Sequence, residues 1–172
     1  MKEYQLLDCC TGDKALYKTT FSYEIKDDEL IICFLCEHSS FYSPYKGLYN
    51  ANHYEGDVVE IFIGNDEHNK TYIELEITPH NDIVLAKITN ENNQLSLEYI
   101  EPSFVQSFSK IEDNCYEIKA KMPLKYLRTG NGKFKFNAFR IETDNGIKEK
   151  HLFAVFPTFE RAFHRPKYFN EL

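Results

Sequence analysis

At 172 residues, with 27% charged and 15% aromatic side chains, the chain is long enough for one domain with a substantial core and too apolar for a disordered segment. Twenty Lys and Arg against 27 Asp and Glu leave a net charge of −7, an acidic balance that argues against a nucleic-acid or anionic-membrane partner. No apolar run approaches the ~18 residues of a membrane span.

Residues 1–13 are polar and close on Thr11-Gly12-Asp13, which reads as a lead-in and turn. They lack the apolar core of a secretory signal, so the expectation is a cytoplasmic protein, or an extracellular one if a signal has been removed. Residues 16–25, rich in Thr, Tyr and Phe, read as a strand. Lys26-Asp27-Asp28-Glu29 makes a tight acidic turn, and residues 30–36 form a second strand, apolar on both faces as in the middle of a sandwich. Cys33 and Cys36 have redox or zinc spacing, but residues three apart on a strand point to opposite sides. They read as reduced thiols, and the odd total of five Cys speaks against a disulfide framework.

Residues 37–53 have little periodicity, and a connection this long is usually functional or mobile. Phe41, Tyr42, Tyr45, Tyr49 and, just beyond, Tyr54 supply rings that suit stacking on sugar faces and suit packing the loop onto a sandwich equally well.

The stretch from Tyr54 to Thr78 organises the rest. Two β-rich segments flank the polar run 64–70, which is a hairpin with a long connection. Val59, Ile61 and Ile63 share one face of the first segment, with Val58, Glu60 and Phe62 on the other. In the second, Ile73, Leu75 and Ile77 oppose Tyr72, Glu74 and Glu76. Pairing would gather Glu60, Tyr72, Glu74 and Glu76 on one acidic, aromatic face, which on alternation alone reads as a solvated outer surface.

Beyond the turn at 79–82, strands are predicted at 83–89, 94–100, 104–111 and 115–122. A single helical turn at 123–128 follows, with Pro123 at its first position. A strand at 133–142, a turn at Asp144-Asn145-Gly146 and an apolar strand at 151–156 follow. The aromatic, basic tail after Pro157 is expected to pack across one end. Many short strands, frequent turns and almost no helical period predict an all-β, antiparallel β-sandwich (jelly-roll or immunoglobulin-like) with one short helical turn. Residues 1–172 form a single domain in this reading, and no repeat or low-complexity tract interrupts them.

Tyr54-Glu55-Gly56-Asp57-Val58-Val59-Glu60-Ile61-Phe62-Ile63 resembles the signature of the family-9 carbohydrate-binding modules: an aromatic, an acidic turn and a Val-Glu-hydrophobic-Phe-hydrophobic strand. Tyr72-Ile73-Glu74-Leu75-Glu76-Ile77 resembles that family's next strand. Phe163-His164-Arg165-Pro166-Lys167-Tyr168-Phe169 is similar to its closing aromatic-x-x-Pro-x-x-Phe segment. The resemblance implies a non-catalytic module that binds a mono- or oligosaccharide end between two aromatic rings, here Tyr54 and Phe163. Carboxylates would accept the hydroxyl hydrogen bonds, which are strong because they are charge-assisted. The family has Trp at both ring positions, and this chain has none. Glu60 matches the family's hydroxyl-binding Glu, whereas Glu76 stands where the family has a basic residue. The candidate ligand-binding set is Tyr54, Glu60, Tyr72, Glu74, Glu76, Arg140, Phe163 and His164, with Arg140, His164 and Arg165 as compensating donors.

Two other readings stay open. One is a sandwich that has kept the fold, lost the sugar and become an interaction protein. The other is a glycosidase-type enzyme using Glu60 with Glu74 or Glu76, which would require carboxyl groups about 5–10 Å apart. No HExxH, GxSxG or P-loop pattern accompanies them. No cofactor is indicated. The family's structural calcium would find hard oxygen ligands at Asn65-Asp66-Glu67 and Asp27-Asp28, while the six scattered His lack zinc spacing.

Overall fold

The computed structural model describes the whole chain apart from Ser39, Phe41, Tyr49, Asn93 and residues 145–149. The strands are β1 (Lys2–Gln5), β2 (Leu7–Asp8), β3 (Thr19–Lys26), β4 (Glu29–Glu37), β5 (Val58–Gly64), β6 (Thr71–Ile77) and β7 (Ile83–Glu91). They continue with β8 (Gln94–Tyr99), β9 (Gln106–Ile111), β10 (Cys115–Pro123), β11 (Lys135–Glu142), β12 (His151–Ala154) and β13 (Asn170–Glu171). One sheet runs β1-β3-β4-β10-β9. The other runs β2-β12-β11-β5-β6-β7-β8, with β13 also pairing β11. All pairings are antiparallel.

The sandwich follows from alternation. Phe21, Ile32, Phe34 and Ile118 of the smaller sheet meet Ile61, Ile63, Leu75, Leu85, Phe136 and Ala138 of the larger in one buried cluster. Fully burying side chains of this kind contributes about 1.5–3 kcal/mol each. The β3–β4 hairpin turns on Asp27 and Asp28, both at positive φ (53° and 61°), as a tight two-residue hairpin demands. The single helical turn predicted at 123–128 is a 3₁₀ turn at Leu124–Leu127, with Pro123 as its N-cap rather than its first position.

Three expectations are corrected. The polar start is not a lead-in: β1 pairs β3 and β2 pairs β12, because edge strands need only one apolar side, here supplied by Tyr4 and Leu6. The tail does not cross one end. It lies along the outer face of the larger sheet, where Phe163 and Phe169 join Val58, Phe62, Tyr72, Ile88, Phe139 and Ile141 in a second buried cluster. For the same reason that face is not solvated, and every residue of β5 is buried on both sides. Of the expected turn at Asp144-Asn145-Gly146 only Asp144, a turn residue at φ 38°, is among the described residues, and Phe41 and Tyr49 fall outside them. The five cysteines are free, and burial pushes the Cys36 thiol up to about 11.

Candidate functional site

Register builds the floor of the site. Glu60 on β5 stands directly opposite Glu76 on β6 and, on its other side, opposite Phe139 on β11. Glu74 lies opposite Phe62. The tail forms one wall. Phe163 stacks flat on Phe139 (4.3 Å between centroids, 17° between planes), and the His164 ring lies on Phe62 (4.8 Å, 26°). Tyr72 Oη and His164 Nδ1 are 2.8 Å apart, and the Asn90 side-chain amide donates to the His164 carbonyl at 3.2 Å. These bonds and the Phe169 ring, edge-on to Tyr72 at 5.1 Å, fix the tail to the sheet.

The second wall comes from the long loop before β5. Its end is anchored by buried Asp57, whose Oδ1 accepts from the Thr143 amide and hydroxyl at 2.7 Å each, and whose Oδ2 accepts from the Tyr42 amide. A Cβ on Gly56 would lie 2.5 Å from the Tyr42 carbonyl oxygen, so only glycine fits this close approach. Tyr54, in the single turn His53–Glu55, is thereby held half exposed, and Lys150 Nζ donates to its carbonyl at 2.5 Å and sits 5.5 Å over its ring.

Between these walls is a hollow of about 200 Å³ lined by Tyr54, Glu60, Glu74, Glu76, Phe163 and His164, together with Ile141, Leu152, Arg161 and Ala162. Six of the eight predicted ligand-binding residues therefore converge. Two do not. Tyr72 is buried beneath the tail, where its hydroxyl holds His164. Arg140 has the inward parity of Phe136 and Ala138, so it points between the sheets. There it donates to Thr19 Oγ1 and the Glu37 carbonyl at 2.7 Å, pairs with Glu142 and packs on the Tyr116 and Phe153 rings. Arg165 is paired with Glu160 at 2.5 Å and does not line the hollow. Ile141 could have been found, since it shares the parity of Phe139. Arg161 and Ala162 lie on an irregular segment with no periodicity to read.

The electrostatics of the floor are unusual. Glu60, Glu74 and Glu76 are 3%, 5% and 5% exposed. Burial raises all three carboxyls, and their mutual repulsion adds to it for Glu60 and Glu74. Glu76 is pushed up to about 7, while Lys150 opposes the rise at Glu60. Oε2 of Glu74 and Oε2 of Glu76 are buried with no hydrogen-bond partner among the described residues. His164 is pulled down to about 4 by burial and then by Arg165, so near neutrality it adds no charge. The arrangement can accept hydrogen bonds from a polar ligand whose apolar side lies against Tyr54 and Phe163.

In one of the two segments that suggested calcium, Asn65 and Asp66 already hold neighbouring backbone groups. The Asn65 amide is spent on the 129–132 loop, donating to the Gly130 and Gly132 carbonyls and accepting from the Thr129 and Gly130 amides. Asp66 Oδ2 accepts from the Lys70 and Thr71 amides. Among the described residues, no group of three or more His, Cys, Asp or Glu is suited to hold a metal ion.

No protein-family model matches the chain, and no curated protein matches it. Solved structures do. A candidate carbohydrate-binding protein from Bacteroides uniformis superposes with a TM-score of 0.78 at 14% identity, over 99% of this chain and 84% of that one. A family 9 carbohydrate-binding module from Caldicellulosiruptor kristjanssonii, solved with glucose, gives 0.62 at 16% identity over 97% and 81% of the two chains. The same source's module with cellotriose gives 0.63 at 15% over 98% and 80%.

Proposed function

We propose that this protein, which has the fold of the family 9-like carbohydrate-binding domains, is a non-catalytic sugar-binding module. It takes a mono- or oligosaccharide end in the hollow between Tyr54 and Phe163, with Glu60, Glu74 and Glu76 accepting hydroxyl hydrogen bonds. The convergence of six sequence-selected residues on one concave site carries this reading. A hollow of about 200 Å³ is smaller than the ~300–1,000 Å³ of sites for drug-sized ligands, and it suits a single ring. Similar structures solved with glucose and cellotriose support the same ligand class. Arg140 is not part of the proposal, and Tyr72 serves it only by positioning His164.

Calorimetric titration with glucose and cellotriose tests the reading, using wild type beside Tyr54→Ala and Glu60→Gln. The expected result is saturable binding that both variants weaken. Equal affinity in all three proteins would move the site elsewhere, and an absence of saccharide binding would leave an interaction role.

A glycosidase reading has one observation in its favour. Glu60 and Glu76 are directly opposed, with raised carboxyls as a general acid needs. Against it, the same burial raises every carboxyl on the floor, whereas the chemistry wants one acid and one ionised partner. Release of nitrophenol from aryl glycosides, abolished by Glu60→Gln, would establish catalysis.

A further inference from the structure

We infer that the hollow selects a saccharide end bearing a protonated primary amine, that is, a hexosamine without N-acetylation, over the corresponding neutral sugar. This inference rests on the sugar-binding reading and deepens it.

The argument is one of charge and unused acceptors. Three carboxylate side chains from two neighbouring strands line one small hollow. Two of their oxygens, Oε2 of Glu74 and Oε2 of Glu76, are buried in its floor and have no donor among the described residues. The nearby cations are engaged at the mouth. Lys150 Nζ is bonded to the Tyr54 carbonyl, and Arg161 Nη2 donates to the Lys150 carbonyl at 2.8 Å. His164 Nε2 stands 4.0 Å from Glu74 Oε2, beyond hydrogen-bond range, with its other nitrogen at Tyr72.

Buried carboxylate oxygens left without donors carry a desolvation cost that a ligand can relieve. A neutral sugar brings hydroxyl donors but no charge. An ammonium brings three N–H donors and the missing positive charge together, and bonds between charged partners are the strong ones. The flat walls of Phe163 and Tyr54 accommodate the sugar body to which the amine is attached. An acetylated nitrogen would lose the charge and add bulk to a hollow of about 200 Å³.

The test is calorimetry on the wild-type chain with D-glucosamine, D-glucose and N-acetyl-D-glucosamine at pH 7 and pH 5. Glucosamine is expected to bind at least tenfold more tightly than glucose at pH 7, and N-acetylglucosamine no better than glucose. The preference shrinks at pH 5 as Glu76, pushed up to about 7, takes up its proton. The other titratable or charged groups lining the hollow are His164, Arg161 and Tyr54, with Lys150 Nζ over the Tyr54 ring. Glu74→Gln and Glu76→Gln, which keep shape while removing charge, are each expected to lose most of the preference. Circular dichroism verifies that both remain folded. Glucose binding as tightly as glucosamine, or a preference untouched by both substitutions, overturns the inference while leaving the sugar-binding reading intact. Failure of every saccharide to bind overturns both.

Discussion

Glu60 and Glu76 face each other directly across the β5–β6 pair, on a face the C-terminal segment covers. Like charges in that position are destabilising even on an open sheet. Under a covering tail they become a fixed cost that the fold tolerates, and the cost has a measurable pH signature.

The unfolded chain titrates these groups near the ordinary Glu value of ~4.3, whereas Glu76 in the fold is pushed up to about 7. The folded state therefore binds more protons across that interval, and the favourable contribution is complete below about pH 4 and lost as pH rises to about 7. A shift of this size corresponds to on the order of 3 kcal/mol. His164, held neutral down to about 4, works in the opposite sense below ~6.5, so the difference between proteins is the cleaner readout. Glu76→Gln should melt several degrees higher than wild type at pH 8 and lose that advantage at pH 4.5. Parallel melting curves at both pH values would contradict it.

Among the described residues Arg140 is the largest fully buried side chain, and it pairs with buried Glu142. Removing one partner of such a pair strands the other charge, at about 3–5 kcal/mol, whereas replacing both with neutral groups is far milder. Arg140→Met should lower the urea midpoint strongly, and adding Glu142→Gln should recover much of it. Neither should alter sugar affinity in whatever fraction is folded, because Arg140 lies on the side of the sheet away from the hollow. A folded Arg140→Met protein with weakened binding would show that the pair also shapes the site.

The Asn65 loop bears on calcium. Its amide makes four bonds to the 129–132 loop, so Asn65→Ala should cost about 1–3 kcal/mol through the backbone groups it orphans. Since those oxygens are already committed, calcium added to the chelated protein is expected to leave the melting temperature unchanged. A rise of several degrees would reveal a site built from other groups.

What could be read in advance follows from how each element declares itself. Strands β5, β6 and β10 carry period-two patterns, so their existence and the sharing of one face by Glu60, Glu74 and Glu76 were legible. The burial of that face was not, because alternation shows which residues share a side and never what covers it. The cover is residues 157–169, irregular apart from one 3₁₀ turn at Pro166–Tyr168, and only the resemblance to a closing aromatic-Pro-Phe segment marked it. Arg140 misled for a related reason. Its strand, Lys-Phe-Asn-Ala-Phe-Arg-Ile-Glu, is apolar on both faces, so parity alone gave no preferred side. The pairing of β1 and β2 was hidden because edge strands this short and polar look like loop.

The two rings at the hollow differ in a way that separates stability from binding. Phe163 is 8% exposed and flat on Phe139, whereas Tyr54 is 47% exposed on a single turn. Truncating a buried Phe costs about 3–5 kcal/mol, part of it from the void left behind. Phe163→Ala should therefore loosen the tail, lower the melting temperature markedly and lose binding as a consequence of unfolding the wall. Tyr54→Ala removes little buried surface and should shift stability by less than ~1 kcal/mol, the range of exposed substitutions. Its loss should appear in affinity, about tenfold, because a ring stacked on a ligand is worth about 0.5–1.5 kcal/mol beyond its area. Thermal melts and sugar titrations on both variants give the comparison. If Tyr54→Ala binds like wild type while Phe163→Leu, which keeps the wall filled, loses binding, then stacking resides on the tail alone and the loop ring only borders the site.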